Sequence, residues 1–382
     1  MRTRHSTILR FKISLLLIIL LLGGIAFSSC RAGMGAVPRG WSGGTIVEDT
    51  LFVGSMEGKL VALNVPDGSQ LGAVPLESPE TSGGGFGCAP ASTAVAIYGS
   101  PAVNEDLVYV GGYNGKIYAF AFDKGALRDE PRWVYPRQGS IGGPIVGGLI
   151  VAQGKVYFGS ADGKVYALDA VDGYKEWEFE TGGKIWSTPA IDGDTLFIGS
   201  FDNKLYALNT ADGRKKWEFE TEGAIVSTPL VYNNTVYIGS FDRYLYAVDA
   251  TDGSLRWKFL AENWFWAKPV IHNNVIYAGC LDGKVYALNA ESGNKLVEFD
   301  LGSPVSSSPV LVGSSILVAT EDGVIYTLDT NDNQQRQLAM LQEKVYAPLA
   351  AYQGFVHIHT DNDVLYEIDV QSGAKRQLNI KS

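Results

Sequence analysis

The stretch Trp186-Ser187-Thr188-Pro189-Ala190-Ile191-Asp192-Gly193-Asp194-Thr195-Leu196-Phe197-Ile198-Gly199-Ser200-Phe201-Asp202-Asn203-Lys204-Leu205-Tyr206-Ala207-Leu208-Asn209, continued by a turn at Ala211-Asp212-Gly213 and by Lys216-Trp217-Glu218-Phe219, decides the fold. Four short apolar and aromatic runs alternate with three turns. β-branched and aromatic residues suit strands, and Gly, Asp and Asn suit tight turns. The stretch reads as four antiparallel strands, each followed closely by a turn.

The same unit recurs along the chain. The glycine that closes the second strand serves as a ruler at Gly54, Gly111, Gly159, Gly199, Gly239 and Gly279, with Ala319 and His359 in its place in the last two copies. From Gly159 onward each step is 40 residues, and the two earlier steps are longer, so insertions fall near the start. Eight four-stranded copies at this period predict an all-β fold, an eight-bladed β-propeller spanning 41–382. The third strands carry the physical reason: Val165-Tyr166-Ala167-Leu168, Leu205-Tyr206-Ala207-Leu208, Leu245-Tyr246-Ala247-Val248 and Val285-Tyr286-Ala287-Leu288 are apolar on both faces. Such strands need cover on both sides, which neighbouring blades supply once the ring is closed.

Two further positions repeat. Pro101, Pro144, Pro189, Pro229, Pro269, Pro309 and Pro348 read as first-strand residues, with Gly44 in their place in the first blade. Proline has no N–H to donate and suits the unpaired edge that faces a central channel. Trp133, Trp177, Trp217 and Trp257 share one place on the fourth strand, replaced later by Val297, Gln337 and Gln377. We read these four rings as wedges that dock one blade on the next.

The run Ala207-Leu208-Asn209-Thr210-Ala211-Asp212-Gly213-Arg214-Lys215-Lys216-Trp217 resembles the tryptophan-docking (PQQ) repeat of quinoprotein-like propellers, as do Ala167 to Trp177 and Ala247 to Trp257. The resemblance covers about residues 40–381. One branch of that family contains quinone-dependent dehydrogenases, whose adjacent cysteines, acidic calcium ligands and long insertions have no counterpart here. Cys30, Cys88 and Cys280 are far apart. The other branch is similar to the B lipoprotein of the β-barrel assembly machinery (BamB-like). It implies a lipid-anchored, non-catalytic binding protein without a cofactor.

The first 29 residues fit this branch. Arg2, Arg4, Arg10 and Lys12 precede an apolar run from Ile13 to Phe27, and Ser28-Ser29 lead to Cys30. A short basic stretch, about 15 apolar residues and small residues form an export signal, too short for the usual spanning helix. The small residues before Cys30 resemble a lipobox, which implies lipid attachment at Cys30. Phe27 stands where the usual pattern has Leu. Residues 30–40 then form a tether, and the protein is placed at the membrane of the bacterial cell envelope. A net charge of -10, more negative still without the leader, argues against nucleic-acid partners. We read the chain as a monomer.

Catalytic or metal signals are sparse. His357 and His359 alternate on one strand face without an acid evidently placed beside them, and read as ordinary blade-contact residues. The turn acids at Asp162, Asp202, Asp282, Asp322 and Asp361 read as turn chemistry, because calcium needs six to eight oxygens. We expect no metal site. Pairing of Cys88 with Cys280 would need a loop crossing the ring. Three irregular features map to one face: the glycine-rich insertion from Pro75 to Ala94, the run Asn263-Trp264-Phe265-Trp266, and aromatics three residues before the Pro/Gly position, at Trp41, Tyr98, Trp186 and Trp266. Aromatics at a loop mouth are candidate anchors for an envelope protein, for a glycan or for a small ligand, and equally candidate caps over the core between blades.

Overall fold

The computed structural model describes residues 40–77 and 94–381. The leader, Cys30, most of the tether, Cys88 and the centre of the glycine-rich insertion lie outside the described residues. Within them the chain forms eight four-stranded antiparallel sheets, each built from one continuous segment with its strands in sequence order. The blades run from Thr45–Pro75 through to Ala350–Leu378. The ruler residue ends the second strand of every blade.

The core is divided among the seams between blades. Each hydrophobic cluster straddles two adjacent blades, as in Tyr157, Val165, Ala167 and Trp177 against Ile185, Leu196, Ile198 and Tyr206. The seam between the eighth and first blades has its own cluster, with Leu365, Leu378 and Ile380 against Leu51, Val53, Val61 and Leu63. The third strands are buried on both faces, so the burial that the sequence demands is met only by neighbours around the ring.

The ruler glycines make those seams possible. A Cβ on Gly159 would lie 2.1 Å from Ile185 Cγ2, and one on Gly199 would lie 2.2 Å from Ile225 Cγ2. Ile97, Ile145, Ile185, Ile225, Phe265, Val305 and Val345 are the plugs that fill these seams, all essentially without exposure. At the last seam the sizes exchange: the ruler residue is His359 and the plug position is Gly40.

The fourth-strand tryptophans reach into the next blade. Trp177 Nε1 donates to Thr210 O at 3.0 Å, and its ring lies against Gly213. Trp133, Trp217 and Trp257 repeat both contacts with Ala170 and Gly173, Ala250 and Gly253, and Ala290 and Gly293. Trp133, Trp177 and Trp257 are buried, whereas Trp217 is partly exposed.

Three expectations need correction. None of the recurring prolines lies within a first strand: Pro101, Pro189, Pro229, Pro269 and Pro309 each stand one residue before theirs, and Pro144 lies well before Ile150–Ala152, which is preceded by Leu149. Pro144 sits instead where Lys184 and Pro304 sit, its carbonyl accepting from Ala161 N at 2.9 Å as theirs accept from Phe201 and Glu321. Pro348 precedes its strand, Ala350–Tyr352, by one residue more than the other prolines precede theirs. His357 and His359 do have acids beside them. His357 Nε2 lies 3.2 Å from Glu367 Oε2, and His359 Nε2 lies 3.0 Å from Asp363 Oδ1. The acids were hidden because Glu367 reaches His357 across a strand pair, and Asp363 folds back from a turn.

The turn acids are occupied within their own blades. Asp162, Asp202, Asp242 and Asp282 each accept from the tyrosine four residues on at 2.7 Å, and from the backbone N–H two residues on. Burial, followed by the bond to that acid, pushes the phenol of each tyrosine well above its ordinary pKa.

Candidate functional site

The loop entering each blade alternates between seam and channel. Ile185 N donates to Ser160 O of the preceding blade at 3.1 Å, and Phe201 N donates to Lys184 O at 2.9 Å. These bonds seat Ile185 in the seam. On extended backbone the next side chain points the other way, and Trp186 lines the channel. The same step puts Trp41, Tyr98, Val146, Trp186, Val226, Trp266, Ser306 and Tyr346, one from each blade, around a single cavity of about 270 Å³ at the channel mouth. Seam capping thus belongs to the residue before each aromatic.

The rings form two arcs. Trp41 packs edge-on against Tyr98 at 4.8 Å and lies 5.3 Å from Tyr346, while Tyr98 lies 5.4 Å from Tyr113. Opposite, Trp186 lies 4.8 Å from Phe201 and 6.4 Å from Trp266. Phe241 stacks on Trp264 at 4.4 Å and on Trp266 at 5.6 Å. Tyr113, Phe201 and Phe241 come from loops between second and third strands, so both loop sets share this face. Trp264 is 42% exposed and Tyr113 46%, which leaves each arc with an outward-facing member.

Beneath the collar, two residues further along each loop, lie Ser100, Thr188, Thr228 and Ser308 with Lys268. Thr188 Oγ1 accepts from Gly148 N at 2.7 Å, and Ser308 Oγ accepts from Lys268 N at 3.1 Å. Lys268 is the one charged residue among the lining residues described. Its side chain still touches water in the channel, but the surrounding protein desolvates it and pulls its pKa below the ordinary lysine value.

Of the aromatics singled out in the sequence, Trp41, Tyr98, Trp186 and Trp266 line this cavity and Trp264 stacks on Phe241 beside it, while Tyr346 and Lys268, which the sequence reading did not single out, line it as well. The proline ruler hid Tyr346, because Pro348 stands one residue off register. The glycine ruler does find it, thirteen residues before His359, as Trp186 stands before Gly199. Cys280 takes the place of Ser160, Ser200 and Ser240, and its Sγ lies 3.3 Å from Asn263 O as their hydroxyls contact loop carbonyls. Burial pushes its thiol pKa up to about 12. Among the described residues no three His, Cys, Asp or Glu side chains form a metal-binding group, and no helix is long and apolar enough to cross a membrane.

The family model described as outer membrane protein assembly factor BamB matches residues 35–179 and 161–378. The outer membrane protein assembly factor BamB of Shewanella oneidensis is 30% identical over 168 residues, 41% of this chain and 37% of that protein. The factor of the same name from Escherichia coli K12 is 29% identical over 97 residues, 24% of each chain. These matches span well under half of each relative. Among solved structures, BamB from Moraxella catarrhalis superposes with a TM-score of 0.69 at 20% identity, covering 85% of this chain and 95% of that one. The computationally designed Ika8 protein shares the fold at a TM-score of 0.67 and 15% identity, covering 87% of this chain and 97% of that one. With a repeat that fills the ring and a family match running almost its whole length, the chain belongs to the BamB family of PQQ-repeat β-propellers.

Proposed function

We propose that this protein is a non-catalytic, lipid-anchored binding propeller of the cell envelope that serves outer-membrane protein assembly through the aromatic face around its channel mouth. The anchor is Cys30, the chain acts as a monomer, and the partner is a protein of the barrel-assembly machinery. The family match over residues 35–378 carries this reading. The face supports it: exposed Trp264 and Tyr113 flank half-buried Trp186, Trp266, Trp41 and Tyr98, and large amphipathic rings are effective protein anchors.

The test is capture from a solubilised envelope fraction by the full-length protein and by its Trp264→Ala/Trp266→Ala variant. Recovery of a barrel-assembly protein should fall at least tenfold in the variant while its thermal unfolding stays close to wild type. Undiminished capture by a folded variant would remove this face from the reading. A second reading, an envelope sensor of a glycan or small ligand, is favoured by one observation, the cavity inside the collar, lined from all eight blades.

A further inference from the structure

We infer that the channel mouth is a binding site for a small organic carboxylate with an aromatic or apolar body, held by Lys268 within the ring of Trp41, Tyr98, Trp186, Trp266 and Tyr346. The inference rests on the second reading above and shares Trp41, Tyr98, Trp186 and Trp266 with the proposed protein face, so it is tested by probe binding and at Lys268, neither of which depends on protein capture.

Three observations support it. Charge comes first. The protein is acidic overall, yet the lining has a lysine and no carboxylate. Among the described residues no acidic side chain pairs with Lys268, although other lysines such as Lys164, Lys204 and Lys284 do have acidic partners. Lys268 is exposed to the channel, so its ammonium group is open to an incoming anion, and the apolar walls around it lower the local dielectric and strengthen that attraction.

Unmet hydrogen bonds come second. Among the described residues four buried side-chain polar atoms have no partner, and two of them, Trp186 Nε1 and Ser306 Oγ, belong to residues that line this cavity. Ser306 is only 8% exposed. A buried donor without a partner is unfavourable, and an indole N–H can only donate. Both atoms are closed off from the channel water in this arrangement, so a guest carboxylate reaches them only with a turn of the Trp186 ring or the Ser306 side chain.

Shape comes third. The cavity is close in size to the smaller ligand pockets, mainly apolar with a few convergent polar groups. Rings on several sides suit a flat guest body. The cation and the hydroxyls of Ser100, Thr188, Thr228 and Ser308 stand two residues further along the loops than the rings, so a guest can meet the rings with its body and Lys268 with its charged end.

The test uses 4-fluorophenylacetate and its cationic counterpart 4-fluorophenethylamine, followed by fluorine NMR with full-length protein in detergent. The carboxylate should bind at least tenfold more tightly than the amine. Lys268→Met should lower its affinity at least tenfold while leaving the thermal melt unchanged. Trp266→Ala should weaken both probes, because it removes a wall and leaves the charge. Equal binding of the two probes, unchanged carboxylate affinity in a folded Lys268→Met protein, or no binding of either probe would each overturn the inference.

Discussion

Replacing Trp177 with alanine is expected to cost about 3–5 kcal/mol, the range for deleting a large buried aromatic, measured as the fall in unfolding free energy in urea. The ring is 8% exposed and sits between blades, where its removal leaves a void that cannot collapse without moving a whole sheet. It lies so close to Gly213 that a Cβ there would meet Cε3 at 2.5 Å. Its hydrogen bond contributes less than its packing, because Tyr157 OH also donates to Thr210 O, at 3.1 Å, and keeps that carbonyl satisfied when the indole is gone. Trp177→Phe should therefore retain more than half of the stability that Trp177→Ala loses. Trp217→Ala should cost less than Trp177→Ala, since Trp217 is not fully buried. If Trp177→Ala costs no more than a surface substitution, the tryptophans are not what joins the blades.

The legible parts of this molecule are those whose cause is local. Glycine recurs at the ruler position because a plug fills the space where its Cβ would be, so the signal repeats wherever the seam repeats. Tryptophan four residues after a turn glycine recurs in three blades, at Trp177, Trp217 and Trp257, where it packs on the corresponding glycine of the next blade. The plugs were not legible. Ile185, Phe265 and Val305 do one job with three side chains, and only buried volume unites them. Lys268 was illegible for another reason: a lysine in a loop reads as a solvated charge until eight loops converge and the channel closes around it. His359 was legible as a blade-contact residue, but its partner Asp363 was not, because Asp363 reaches it by folding back from a turn four residues on.

That seam leads to the second large effect, because no strand is exchanged across it. Each of the two blades is a continuous segment, and among the described residues the hydrogen bonds across the seam each involve a side chain. Apolar packing is supplemented there by a buried polar network. Asp363 Oδ1 accepts from Met56 N at 2.9 Å, and His359 lies 3.0 Å from both Asp363 Oδ1 and Ser42 O. Further out, Arg376 donates to Glu367 Oε1 at 2.7 Å and to Val65 O at 3.0 Å. Asp363→Ala should cost about 3–5 kcal/mol, as expected when one member of a buried charged network is removed and its partners stay buried. It also places alanine at a φ of 59°, a left-handed conformation that Asp and Asn tolerate better. Asp363→Asn keeps that tolerance and an acceptor oxygen for Met56 N, so it should be markedly less damaging.

Acid should open the same seam in two steps. Burial pulls the pKa of His357 below its ordinary 6.5, against the opposing pull of Glu367, so the unfolded chain takes up a proton more readily and stability falls as pH drops below about 6.5. For Asp363 burial works against the charge, but the bonds from His359 and Met56 N outweigh it and hold the pKa below the usual 3.8. Its contribution is complete above that value and is lost as pH falls from 3.8 through the lower folded value. Unfolding free energy measured against pH should show both steps in the wild type, and Asp363→Asn should shrink the lower step while leaving the one near neutrality, because other carboxylates held below their usual range, such as Glu77 and Asp369, keep part of the lower step. A variant that kept the lower step at full size would show that Asp363 does not hold the ring closed through its charge.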